Sequence, residues 1–144
     1  METWKELDFK STVKRNKSQT PYVTISPKNG KISLNRFACN LISELMFFDC
    51  VGIFEKTDES NNTYIGFRFM KDNENNTFKA TIPIKKIFSP KESINITNCQ
   101  FYSKALTKVL VEKLNFSDAD TSAKFKAHPN DSMALMICST ERIK

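Results

Sequence analysis

The chain has 144 residues, of which 40% are hydrophobic and twelve are phenylalanine, and it carries a formal net charge of +6. This length suits one domain or two very small ones and buries a core without staples, and so much aromatic area argues against a disordered chain. No apolar run approaches ~18 residues, the length at which a membrane-spanning helix is read, and the opening Met-Glu-Thr-Trp-Lys-Glu lacks the layout of a secretory signal, so a cytoplasmic protein is expected.

Residues 1–20 show little periodicity and read as a basic N-terminal arm, with Lys14, Arg15 and Lys17 solvated and Trp4, Leu7 and Phe9 free to dock or to meet a partner. The rest, 21–144, reads as one domain. Tyr22–Ser26 is an expected strand, Pro27–Gly30 a turn and Lys31–Leu34 the return strand. Asn29-Gly30 is a strong hairpin signal because both residues tolerate positive φ. Asn35 is a helix N-cap. The helix is expected over Arg36–Met46, where Phe37, Leu41 and Leu45, joined by Ala38 and Ile42, make one apolar face. Cys50–Thr57 and Thr63–Met70 follow as strands joined through Asp58–Asn62. In the second of these Tyr64 and Arg68 share the face opposite Ile65, Phe67 and Phe69.

A connector, 77–92, comes next. Phe78, Ala80, Ile82 and Ile84 alternate with Lys79, Thr81, Pro83 and Lys85, the pattern of a half-buried strand, and Pro83 puts it at an edge or strand end. Ser89–Glu92 reads as a turn and Ile94–Ile96 as a short strand. The second half then repeats the order of the first. Leu110, Val111 and Leu114 fall over Leu41, Ile42 and Leu45, with Leu106 over Phe37, and Met133–Cys138 falls over Tyr64–Phe69. Asn98–Tyr102 stands where Lys31–Leu34 stood, Ser103 takes the capping place of Asn35, and Thr121–Ala127 is a strand like Cys50–Thr57. The expectation is an α+β fold of two tandem β-α-β-β units (21–76 and 93–144), with about eight strands and two helices, packed as one compact domain behind the arm.

Charge is uneven. Residues 1–31 carry seven Lys or Arg against three acids, and 71–91 carry five against two, so the excess lies in the arm and the connector. Such a layout suits an anionic partner, and it equally suits a solvated, lysine-rich surface.

Catalytic chemistry is poorly supported. A hydrolytic triad needs a base, and the single histidine, His128, lies in an expected turn, Ala-His-Pro-Asn-Asp. Asp118 with Asp120, and Asp58 with Glu59, read as solvated loop residues. Three isolated glycines, Gly30, Gly52 and Gly66, make no phosphate cradle. Cys39, Cys50, Cys99 and Cys138 are widely spaced among apolar neighbours and read as reduced, structural residues. No catalytic residue, metal site or cofactor is expected.

Two resemblances bear on the reading. The run Pro27-Lys-Asn-Gly-Lys-Ile-Ser-Leu-Asn-Arg-Phe-Ala-Cys-Asn-Leu, followed by Cys50–Glu55 and Tyr64–Phe69, is similar in layout to the AbrB/MraZ-type swapped-hairpin transcription factors. Their strand, short helix and strand pair occur twice per chain in MraZ. Lys31 stands here for their usual Arg and Asn35 for their Pro region, so their DNA-contacting residues carry over poorly. From Tyr22 onward the chain resembles small uncharacterised duplicated proteins of gut bacteria and their phages, through Ser26–Asn35 and Phe101-Tyr-Ser-Lys-Ala-Leu106. This second resemblance implies a domain plan, and a bacterial or virion-associated setting, without an activity.

The leading expectation is a non-enzymatic nucleic-acid-binding or regulatory protein. Lys14, Arg15, Lys17, Lys28 and Lys31 would contact phosphates, Lys85 and Lys86 would add a second contact, and Arg68 would reach nucleic acid from an open sheet face. The alternative is a phage-type structural, assembly or host-inhibitor module that binds protein, including further copies of itself, through exposed strand edges.

Overall fold

The computed structural model describes residues 20–74, 78, 80–91, 95–117 and 122–143. The expected arm therefore lies, up to residue 19, outside the described residues, and with it Lys14, Arg15 and Lys17. In chain order the elements are β1 (Tyr22–Ser26), β2 (Lys31–Leu34), α1 (Arg36–Asn40), β3 (Cys50–Thr57), β4 (Thr63–Met70), β5 (Ile82–Pro83), β6 (Lys85–Phe88), β7 (Ile96–Tyr102), α2 (Lys104–Lys113), β8 (Ala123–Lys126), β9 (His128–Asp131), β10 (Ala134–Cys138) and β11 (Arg142–Ile143).

The local signals act as their chemistry dictates. Gly30 takes φ +66° in the β1–β2 turn, where a side chain is strained and a Cβ would press on Lys104. Asn35 caps α1: its Oδ1 accepts the Ala38 and Tyr22 amides at 3.0 Å each, and its Nδ2 donates to the Thr20 carbonyl at 3.0 Å. Ser103 caps α2 through the Leu106 amide at 3.1 Å.

The expected fold class is corrected. The described residues are mostly β, with 47% of them in strands, and the eleven strands among them form two antiparallel sheets. One sheet runs β11-β8-β1-β2-β7-β6 and the other β5-β3-β4-β10-β9. Two side-by-side β-α-β-β units do not describe it, because each half of the chain supplies strands to both sheets. The halves meet where β1 pairs with β8, where β2 pairs with β7 and where β4 pairs with β10. The reason is in the strand faces: one helix is too little cover for a half-unit's sheet, and the inward residues bury one another across the halves instead.

Three local expectations also change. The first helix stops at Asn40 instead of Met46: the Leu41 and Ile42 amides tighten onto Ala38 and Cys39 carbonyls, the Ser43 amide leaves for the Ser132 carbonyl, and Glu44 turns left-handed at φ 62°. Within the Ala-His-Pro-Asn-Asp segment, His128–Asp131 forms β9 against β10 in place of a turn, and β11 extends the larger sheet. Finally, laying Met133–Cys138 over Tyr64–Phe69 puts Leu135 on Gly66 and Ile137 on Arg68. In the structure Leu135 and Ile137 are buried with Ile65, Phe67 and Phe69, so the two strands match only after a one-residue shift.

The two sheets close on each other. Only Ile84 separates β5 in one sheet from β6 in the other, and its amide continues the ladder onto the Asp49 carbonyl at 3.1 Å. Only Ala127 separates β8 from β9, and its amide bonds the Pro21 carbonyl at 3.0 Å. Strands thus pass from sheet to sheet on both sides and wrap one core of Val23, Ile25, Ile32, Leu34, Phe67, Phe69, Phe101, Phe125, Leu135 and Ile137. The two helices add Ala38, Cys39, Leu110 and Leu114 to that core. Because β2 and β7 are antiparallel, the helices that follow them leave from opposite ends of the strand pair.

Candidate nucleic-acid interface

With Val23, Ile25, Ile32, Leu34, Cys99, Phe101, Ala123 and Phe125 buried, alternation turns every second residue of the larger sheet outward. The pairing register arranges those residues in rows. One row crosses all six strands as Lys85, Gln100, Ser33, Thr24, Lys124 and Ile143. Beside it on one side lie Tyr102, Lys31 and Ser26, next to the turn that carries Lys28. On the other side lie Ile87 and Asn98 at one margin and Tyr22 and Lys126 at the opposite one.

The chemistry of this face is lopsided. Lys31, Lys85, Lys124 and Lys126 stand on it, and no outward position of β1, β2, β6, β7 or β8 holds a carboxylate. At the margin the Glu141 carbonyl accepts the Lys126 amide, and the Glu141 carboxylate is bonded to His128. Lys85, Lys124, Lys126 and Tyr102 are exposed. Between the lysines the surface is made of hydroxyls and amides. At ~4.8 Å between neighbouring strands, Lys85 and Lys124 are about 19 Å apart along the sheet.

Two aromatic rings sit among these groups. Tyr102 is 52% exposed, and its hydroxyl donates to Gln100 Oε1 at 3.1 Å, which fixes the ring against the sheet. Lys124 lies over the Tyr22 ring with its Nζ 4.9 Å from the centroid. The Asn98 Oδ1 is buried and has no partner among the described residues.

The residues expected from sequence are thus divided. Lys28, Lys31 and Lys85 come together on or beside this face. Arg68 is on the outer side of the smaller sheet, where it donates to Asp131 Oδ2 at 2.8 Å and, with its hydrogen bond leading, holds that carboxyl below its ordinary value. Lys86 turns inward beside Cys99, and its Nζ donates to the Met46 and Phe48 carbonyls at 2.6 and 2.7 Å. It fastens the 45–47 turn to β6. Sequence reasoning missed Lys124, Lys126, Tyr22 and Tyr102. The first two carried a signal, since Lys124 and Lys126 alternate with Ala123, Phe125 and Ala127, but nothing local set them beside Lys31.

The remaining reactive groups are inert or occupied. All four cysteines are free and buried. Burial pushes Cys39 and Cys99 up to about 12, so neither is a thiolate at neutral pH. His128 is bonded to Glu141. Among the described residues no group of His, Cys, Asp and Glu could hold a metal ion, and no helix is long and apolar enough to cross a membrane. Comparison with protein-family models, with curated proteins and with solved structures gave no match.

Proposed function

We propose that this protein binds nucleic acid on the outer face of its six-stranded sheet. The observation that carries the proposal is the gathering of Lys31, Lys85, Lys124 and Lys126, from three different strands, on one face without a carboxylate between them. Lysines distributed at random on a surface are usually interleaved with acids, and a phosphate chain needs the reverse. Lys28 extends the positive face at the β1–β2 turn. Polar side chains between the lysines can donate to phosphate or sugar oxygens.

Four phosphate contacts predict that log K falls with log salt at a slope of about −2.8 for a single strand and −3.6 for a duplex. Fluorescence anisotropy with a labelled oligonucleotide from 25 to 200 mM salt measures it. Replacing Lys31 and Lys124 together by Ala should flatten the slope by about two contacts' worth. Arg68→Ala should leave it unchanged, since Arg68 stands on the other sheet. An oligonucleotide that fails to bind at the lowest salt, or binding untouched by the lysine replacements, would overturn the proposal.

A further inference from the structure

We infer that the ligand of this face is single-stranded nucleic acid, with a base stacked on Tyr102; the inference rests on the proposed binding role of the same face. A duplex hides the faces of its bases and is read through grooves that admit a helix or a two-stranded ribbon. This surface offers neither. The two helices follow β2 and β7 off opposite ends of the six-stranded sheet, and the face between them is a sheet surface carrying flat side chains. A single strand presents both of the things the face can take: phosphates for lysines and ring faces for aromatic side chains.

Tyr102 is suited to that task in three respects. Its ring is 52% exposed, in a protein that buries Phe67, Phe69, Phe101 and Phe125 completely. Its hydroxyl is tied to Gln100, so stacking costs little further ordering of the side chain. It stands beside Lys31 in register, so a phosphate and the base attached to it are served by neighbouring strands. At the far corner the Tyr22 ring and Lys124 repeat the pairing of an aromatic with a cation. Two strand spacings and four residues of rise put Tyr22 roughly 16 Å from Tyr102, a distance that a chain of several nucleotides crosses.

The test compares four labelled ligands of equal phosphate number: a 15-nucleotide dT strand, a U strand of the same length, a strand of abasic sites, and a self-complementary duplex. The dT or U strand should bind at least tenfold tighter than the abasic strand, because stacking contributes ~1–3 kcal/mol per base. The dT and U arms show whether the natural ligand is DNA or RNA, and tight binding of either supports the inference. Tyr102→Ala should weaken binding of the favoured strand about tenfold while leaving the abasic strand unaffected, and Tyr102→Phe should restore it. Because Tyr102 is exposed, both variants should fold, which circular dichroism checks. Equal affinity for base-bearing and abasic strands, or preference for the duplex with no effect of Tyr102→Ala, would overturn the inference while leaving the phosphate contacts standing. Absence of binding by all four at low salt would overturn both.

Discussion

Replacing Lys86 by Met separates fastening from binding. The Lys86 Nζ donates to two backbone carbonyls, those of Met46 and Phe48, at 2.6 and 2.7 Å. Those carbonyls end a 3-10 turn, Leu45–Phe47, whose Leu45 and neighbouring Phe48 are in the core while Phe47 is exposed. A hydrogen bond to a charged donor contributes ~1.5–3 kcal/mol. Lys86 is only half-buried, so water takes over part of both bonds when the amine is removed, and Met keeps the stem's packing. The expected loss is about 2–3 kcal/mol for the pair. With an m-value of about 1.5 kcal/mol/M, the urea midpoint should fall by ~1–2 M at unchanged m. Equilibrium denaturation followed by circular dichroism reads the midpoint, and anisotropy under native conditions reads oligonucleotide binding. The midpoint should move and the affinity should not. An unchanged midpoint together with lost binding would refute the fastening role and return Lys86 to the phosphate-contacting set.

Three further outcomes follow from the packing and the charges. Gly66→Ala should destabilise by about 1–3 kcal/mol, since its Cβ would run into the Phe54 ring that lies across it; in a Phe54→Ala background the same change should stabilise by a few tenths of a kcal/mol or more, and equal effects in both backgrounds would refute the steric account. Asn35→Ala should cost about 2–3 kcal/mol in urea denaturation, because it removes the α1 cap and also the bonds to Tyr22 and Thr20 that hold the start of β1. Asp131 is held below its ordinary value of 3.8, first by the hydrogen bond from Arg68. A lowered folded value means its contribution is present above the ordinary value and lost as pH falls through the folded one. Arg68→Met should therefore flatten the acid-side loss of stability below about pH 4 and change stability at pH 7 by less than ~1 kcal/mol, as the pair is exposed; an unaltered acid limb in a pH series of thermal melts would contradict it.

What sequence made legible here was local. Asn29-Gly30 announces a turn because the backbone there must pass through positive φ, and Gly30 does. Asn35 and Ser103 announce helix starts because a short polar side chain can take the free amides. Alternation in Thr63–Met70 separates Ile65, Phe67 and Phe69 from Arg68, because side chains on a strand point to alternate faces whatever the strand pairs with. The helix face of Phe37, Leu41 and Leu45 failed because periodicity shows only that a helix could bury those residues; Glu44 and the Ser43–Ser132 bond broke the helix for the sake of contacts with a distant segment.

Which strands stand side by side was not in the sequence. The partnerships of β2 with β7, of β1 with β8 and of β4 with β10 join segments far apart in the chain, and many pairings of apolar strands bury similar area. Only the closed set, in which both sheets share one core, selects among them. That choice puts Lys31 and Lys85 on the same sheet face as Lys124 and Lys126, sends Lys86 inward and pairs Arg68 with Asp131 on the other sheet. The residue types on this face were fixed by sequence. Their assembly into one surface was decided by cross-strand register, because the positions of charges on a sheet follow from which strands are neighbours and not from their spacing along the chain.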